Sequence, residues 1–268
     1  MKYTTIMVHL QAGQSNTGVL AIAGDLAERC GASLIGIAGC QPMRIVEGDG
    51  YVPVELAQAD RDEIEKEIKK AEAEFRSAFQ KHALTTEWRS AVVPGSLADY
   101  IAREARCTDL VLTSAAWQQS NTTDLVMQLG RPALIVPAAC GSLKLSHVLV
   151  AWKDTRETRR ATLDALPLLK MAARVTVVEI TSEKDVSAGR THLEDVANWL
   201  KSHGIVAETR VESSTANDAM ELKAIVNEQG ADLIVAGVYG HSRLREFVLG
   251  GVTHDLLLRA DRCSFVSH

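Results

Sequence analysis

The sequence lacks three things that would settle its class at once. It has no apolar run near the roughly 20 residues of a membrane span. It has no surplus of positive charge, with 29 Lys and Arg against 34 Asp and Glu and a net charge of -5. Its five cysteines, Cys30, Cys40, Cys107, Cys140 and Cys263, contain no C-x-x-C pair. The first absence argues against a membrane protein. The second argues against nucleic acid or an anionic membrane as partner, because both need a basic face. The third argues against a zinc or dithiol redox centre. The opening residues, MKYTTIMVHLQAGQSNTG, hold one Lys and a short apolar run broken by polar residues, without the h-region of a signal peptide. Reduced thiols and a cytoplasmic location are therefore expected.

What is present reads as an ordinary globular composition, 46% apolar and 24% charged. Its 268 residues would make one large domain or two of about 130 to 140 residues. Apolar, β-branched runs predict strands at Thr5 to Leu10, Ser33 to Ala38, Thr86 to Val93, Asp109 to Thr113 and Ala133 to Pro137. A second set is predicted at His147 to Trp152, Arg174 to Ile180, Ala207 to Glu212, Leu233 to Gly237 and Ser264 to Ser267. Helical patterns fall between them, at Thr17 to Cys30, Val54 to about Ala83, Leu97 to Ala105 and a weak segment before the fifth strand. In the second half they fall at Thr158 to Met171, Thr191 to His203, Asn217 to Glu228 and about Arg243 to Arg259. Strands alternating with helices of this length imply parallel sheets covered by helices.

The two halves also match residue by residue. Cys107-Thr108-Asp109-Leu110-Val111-Leu112 aligns with Gly230-Ala231-Asp232-Leu233-Ile234-Val235, and Arg131-Pro132-Ala133-Leu134-Ile135-Val136 with Arg262-Cys263-Ser264-Phe265-Val266-Ser267. Val8-His9-Leu10 aligns with Val150-Ala151-Trp152. The order is constant and the offset nearly so, which marks a tandem repeat. The expected units are 1–140 and 141–268, joined near Ala138 to Leu145.

The halves part after the fourth strand. The second reads Gly237-Val238-Tyr239-Gly240-His241-Ser242-Arg243, continues to Gly250-Gly251-Val252-Thr253, and so has the form G-x-x-G-x9-G-G-x-T. Glycines at a strand end permit positive φ and close approach of a ligand to the main chain. Exposed N–H groups at a turn or helix start attract anions, and open parallel sheets bind ligands outside the carboxyl ends of their strands. The competing reading is that these glycines only tighten turns and allow close helix packing.

With this loop and the segment Gly230 to Val235 before it, the second unit resembles the universal stress protein (UspA) family, and the first unit does so more weakly. Nucleotide-binding members of that family carry G-x-x-G-x9-G-[ST], which Gly237, Gly240 and Gly250 match. The resemblance implies two tandem open parallel-sheet domains, Rossmann-like and similar to the adenine-nucleotide alpha hydrolases, forming an internal pseudo-dimer, with further homodimerisation left open. It implies a stress-response regulator holding ATP or a related nucleotide, with Mg²⁺, in the second unit. The site would comprise Lys153, Asp154, Gly237, Gly240, His241, Ser242, Arg243, Gly250, Gly251, Val252 and Thr253.

Two positions depart from the pattern. Gly251 replaces a Ser or Thr, and Lys153 stands where the family places an Asp, with Asp154 displaced by one. In the first unit Ser114 and Trp117 align with Gly237 and Gly240, only Gly130 remains near the third glycine, and Gln11 replaces the Asp. An indole there would block phosphate, so that unit is expected not to bind.

Catalysis finds little support. Neither the S-G-G-x-D-S loop nor the paired H-x-G-H motif of adenylating families occurs. His241 and Ser242 are adjacent and lack a G-x-S-x-G elbow. His9 reads as a satisfied strand-end residue rather than a metal ligand. Slow ATP hydrolysis is the most that could be expected. The alternative function is a nucleotide-independent stress protein acting through protein contacts or another small ligand.

Overall fold

The computed structural model describes residues 2–42, 54–117, 119–214, 218–238 and 262–268. Its first half contains β1 (Thr5–His9), α1 (Thr17–Cys30), β2 (Ser33–Cys40), α2 (Val54–Phe79), β3 (Thr86–Val92), α3 (Leu97–Glu104), β4 (Leu110–Ser114), α4 (Gln119–Leu129) and β5 (Ala133–Val136). The second contains β6 (Val148–Trp152), α5 (Arg156–Asp164), α6 (Leu166–Met171), β7 (Val175–Thr181), α7 (Val186–Ser202), β8 (Ala207–Ser213), α8 (Asp218–Gln229), β9 (Leu233–Gly237) and β10 (Cys263–Ser267). The segment expected to hold the last helix, Arg243 to Arg259, lies outside the described residues.

The ten strands among the described residues form one sheet in the order β3-β2-β1-β4-β5-β10-β9-β6-β7-β8. Within each half every pairing is parallel, and the halves meet where β5 pairs antiparallel with β10, Leu134 opposite Phe265. Read outward from that seam, both halves have the same order. The chain is thus two tandem open parallel sheets joined edge to edge, an internal pseudo-dimer.

The strand sequences follow from this placement. The central strands β1, β4, β5, β9 and β10 are almost wholly buried and read as continuous apolar runs, as strands covered on both faces must. The edge strands β3 (TEWRSAV) and β8 (AETRVES) are largely solvated and carry charge, which blunts an open edge.

One apolar core runs along one face of the sheet through both halves, from Val8 and Leu134 to Phe265, Val150 and Val177. A polar contact also crosses the seam: the Tyr3 hydroxyl donates to the Asp164 carbonyl at 2.8 Å, while the Ser267 hydroxyl ties β10 to the Asp164 carboxylate at 3.1 Å within the second half.

Helix boundaries shift for local reasons. The expected helix from Thr158 to Met171 is two, because Pro167 sits in the first turn of α6 and breaks the ladder at Ala165. It also starts earlier, at Arg156, where the Thr155 hydroxyl caps the Thr158 N–H. Helix α7 begins at Val186 rather than Thr191, and its buried Gly189 lies against Val211 and Glu179, where a side chain would crowd them.

Candidate functional site

In each half the strand order reverses beside the first strand: β1 lies between β2 and β4, and β6 between β7 and β9. Such a reversal opens a crevice at the carboxyl ends of the two diverging strands, the usual ligand site of an open α/β sheet. The two crevices are built differently.

In the first half, His9 ends β1 and Thr113 lies on β4. The His9 Nδ1 and Thr113 Oγ1 are hydrogen-bonded at 2.9 Å. Trp117, three residues past the end of β4, packs on the imidazole with ring centroids 4.3 Å apart and planes inclined at 55°. All three side chains are buried. Burial lowers the His9 pKa to about 3, so the ring is neutral and serves as a packed core group. Gln11 is buried as well; its backbone N–H donates to the Asn16 side chain at 2.8 Å. The crevice is closed by its own side chains, as the indole at position 117 leads one to expect.

In the second half, the aligned strand residues are Ala151 and Ala236, register partners on β6 and β9. Two methyl groups replace a bonded imidazole and hydroxyl, and the sequence has Gly240 in place of Trp117.

Around this point Lys153 Nζ is 3.7 Å from Asp218, and Arg159 donates twice to one oxygen of Asp154, at 2.7 and 3.1 Å. Both side chains singled out at the end of β6 therefore have partners on neighbouring helices. Gly237 is pressed against the start of α5: a Cβ there would lie 2.3 Å from the Thr158 nitrogen and 2.4 Å from the Glu157 carbonyl carbon. Close helix packing alone thus demands glycine at this position. Gly240, His241, Ser242, Arg243, Gly250, Gly251, Val252 and Thr253 lie outside the described residues.

Sequence inspection missed a polar group beside the crevice. Trp152 and Glu179 are register partners on β6 and β7, and His192 on α7 brings its Nδ1 to 3.6 Å from the Glu179 carboxylate, too long for a hydrogen bond. Trp152 Nε1, Glu179 Oε2 and His192 Nδ1 are all buried atoms without a hydrogen-bond partner. Burial pushes the Glu179 carboxyl above its ordinary pKa, against the pull of His192. In register, Trp152 and Glu179 take the places of Leu10 and Ala38, both core residues of the first half. Aligning β2 with β7 would have exposed this exchange.

The comparisons with known proteins bear first on the second half. Residues 144–262 match the family model described as the universal stress protein family. The second half carries a universal stress protein domain. No curated protein matches the chain. Among solved structures, a universal stress protein from Archaeoglobus fulgidus is similar at 17% identity, with a TM-score of 0.76, over 97% of this chain and 95% of that one. A Pseudomonas aeruginosa protein classed with the universal stress proteins is similar at 13% identity, with a TM-score of 0.67, over 99% and 93% of the two chains. These likenesses show that the universal stress protein fold extends over the whole chain, first half included. Among the described residues no helix is long and apolar enough to cross a membrane, and no group of three or more His, Cys, Asp or Glu converges as a metal site would.

Proposed function

We propose that the chain is a stress-response regulatory protein of the cytoplasm that binds ATP or a related adenine nucleotide, one per chain, in the crevice between β6 and β9. The observation that carries this reading is the exchange at the strand reversal. His9, Thr113 and Trp117 fill the first crevice, whereas the second has Ala151, Ala236 and Gly240 at the same alignment positions. A flat, mostly apolar base needs such room, and a small-residue lining gives it.

The loop Gly240 to Thr253 supplies the phosphate-binding half of the proposal, with backbone N–H groups taking the part of the hydroxyl that Gly251 lacks. Lys153 would then exchange its exposed pairing with Asp218 for phosphate, an inexpensive trade because exposed pairs contribute little. Mg²⁺ fits only as a companion of the nucleotide. It takes oxygen ligands and keeps several waters, and the phosphates would supply most of what no convergent carboxylate group among the described residues offers. The reading is of binding and regulation, without turnover.

The test is calorimetry and thermal unfolding of the purified chain with millimolar Mg²⁺ and ATP, ADP or AMP. A ligand bound only to the native state raises the Tm by mass action. Absence of both heat and shift with all three would overturn the proposal. The partners already held by Lys153 and Asp154 favour the second reading, a universal stress protein that acts through protein contacts without nucleotide. It predicts that null result, together with no nucleotide co-purifying.

A further inference from the structure

Cys140 and Cys263 are 123 residues apart in sequence, yet their sulfurs lie 3.8 Å apart, at van der Waals contact. Each is held in place by structure of its own. The Cys140 N–H donates to the Pro137 carbonyl at 2.9 Å, and its own carbonyl is packed so closely on α1 that a Cβ on Gly18 would approach it to 2.5 Å. Cys263 opens β10 and pairs in register with Leu233 of β9. Cys140 is partly exposed and Cys263 is buried. One thiol can meet a reagent from solvent, and the other waits directly behind it.

We propose that Cys140 and Cys263 form a reversible disulfide when the protein meets a hydroperoxide. In the first step the Cys140 thiolate attacks one peroxide oxygen. The O–O bond breaks, the leaving oxygen takes up the proton that the Cys140 thiol had released and departs as an alcohol or as water, and Cys140 becomes a sulfenic acid. In the second step the Cys263 sulfur attacks the Cys140 sulfur. The S–S bond forms, the S–O bond breaks, and the departing hydroxide takes the Cys263 proton to leave as water. Two thiols lose two electrons and the peroxide bond gains them. Burial keeps the Cys263 thiol protonated well above the ordinary range, so the second step is slow at neutral pH and faster in mild alkali.

The position of the tie gives it consequence. Cys140 lies in the connection between the halves, and Cys263 begins the last strand. The bond would close β6 through β9, nearly all of the second unit, into one covalent ring, and the unfolded state of that unit would lose freedom accordingly.

The experiment exposes the full chain to hydrogen peroxide, alkylates remaining thiols with iodoacetamide, and maps peptides without reduction. Two of the five thiols should escape alkylation, and the Cys263–His268 peptide should be joined to the peptide containing Cys140. The Cys140→Ser variant should lose the linkage and Cys107→Ser should keep it. Oxidised protein should melt several degrees higher than reduced protein, with dithiothreitol reversing the shift. The proposal is overturned if Cys140 and Cys263 both remain alkylated, if Cys140 proceeds to sulfinic acid unlinked, or if the Cys263–His268 peptide is linked to another cysteine. Because Cys140 is partly exposed, Cys140→Ser should fold normally, and its circular dichroism and untreated Tm check this.

Discussion

Ala151 on β6 and Ala236 on β9 stand opposite each other at the positions that the hydrogen-bonded pair His9 and Thr113 holds in the first half. The first half shows that this fold accommodates the larger pair. Ala151→His combined with Ala236→Thr should therefore leave the protein folded while filling the second crevice. Nucleotide affinity, if present in the wild type, should fall at least about tenfold, the effect of roughly 1.4 kcal/mol. Titration calorimetry measures it, and an unchanged affinity would place the ligand elsewhere.

His9 should make the protein acid-sensitive. Its pKa is about 3 in the folded chain against 6.5 for a free imidazole. Between those values the unfolded state binds a proton that the folded state refuses, so stability falls as pH falls. The loss from this residue should be roughly 2 kcal/mol between pH 6.5 and 5. Denaturant unfolding of His9→Leu should show a shallower slope over that interval than the wild type. Equal slopes would mean that the imidazole is hydrated rather than buried.

Gly237→Ala should destabilise the protein by about 3 kcal/mol whether or not nucleotide is present. The added methyl meets main-chain atoms of Glu157 and Thr158, which cannot move without displacing α5. Gly240→Val should instead abolish any nucleotide binding and leave the fold largely intact. Paired urea titrations with and without ATP separate the two effects.

Asp109 and Asp232 perform one task twice. Asp109 Oδ2 accepts from the Thr4 N–H, Thr5 N–H and Thr4 hydroxyl at 2.7 to 3.1 Å. Asp232 accepts from the Ser146 and His147 N–H groups at 2.8 and 3.4 Å. Each clamps the amino end of its unit's first strand to the fourth. Asp109→Ala should cost about 2 kcal/mol, and Asp232→Ala less, since fewer donors lose a partner. Although burial opposes it, donation by Thr4 and Thr5 holds the Asp109 carboxyl below its ordinary pKa. Its contribution is complete above the unfolded carboxylate range and is lost as pH falls through the lower folded value. The Asp109→Ala penalty should shrink accordingly at acid pH.

Glu179→Gln should stabilise the protein at pH 7 to 8. Burial raises the Glu179 pKa, so the folded state resists its ionisation and stability drops as pH rises through the shifted value. A neutral amide removes that penalty. The gain in Tm over wild type should be smaller at pH 4 to 5; a gain that does not vary with pH would point to packing instead.

Much of this was legible in the sequence. Periodicity gave all ten strands to within a few residues, because buried parallel strands leave a continuous apolar signal, and the paired Asp109 and Asp232 segments revealed the repeat before their shared clamp was visible. The indole at position 117 also announced the closed first crevice. Helix limits were harder: Pro167 divides one helical pattern into two, and the capping hydroxyl of Thr155 lies outside the apolar stripe that periodicity detects. Within the site, the spacing motif that includes Gly237 cannot by itself distinguish approach by a phosphate from approach by a helix, and the structure adds that α5 does approach it. Glu179 and His192 went unnoticed because they are 13 positions apart on different elements and become neighbours only when α7 folds over β7.

The antiparallel join of β5 and β10 has a directional consequence. Every strand of one half points opposite to every strand of the other, so the two crevices open on opposite rims of the sheet. The ladder from Leu134 to Phe265 and the apolar core shared by both halves are the continuous structure between those rims.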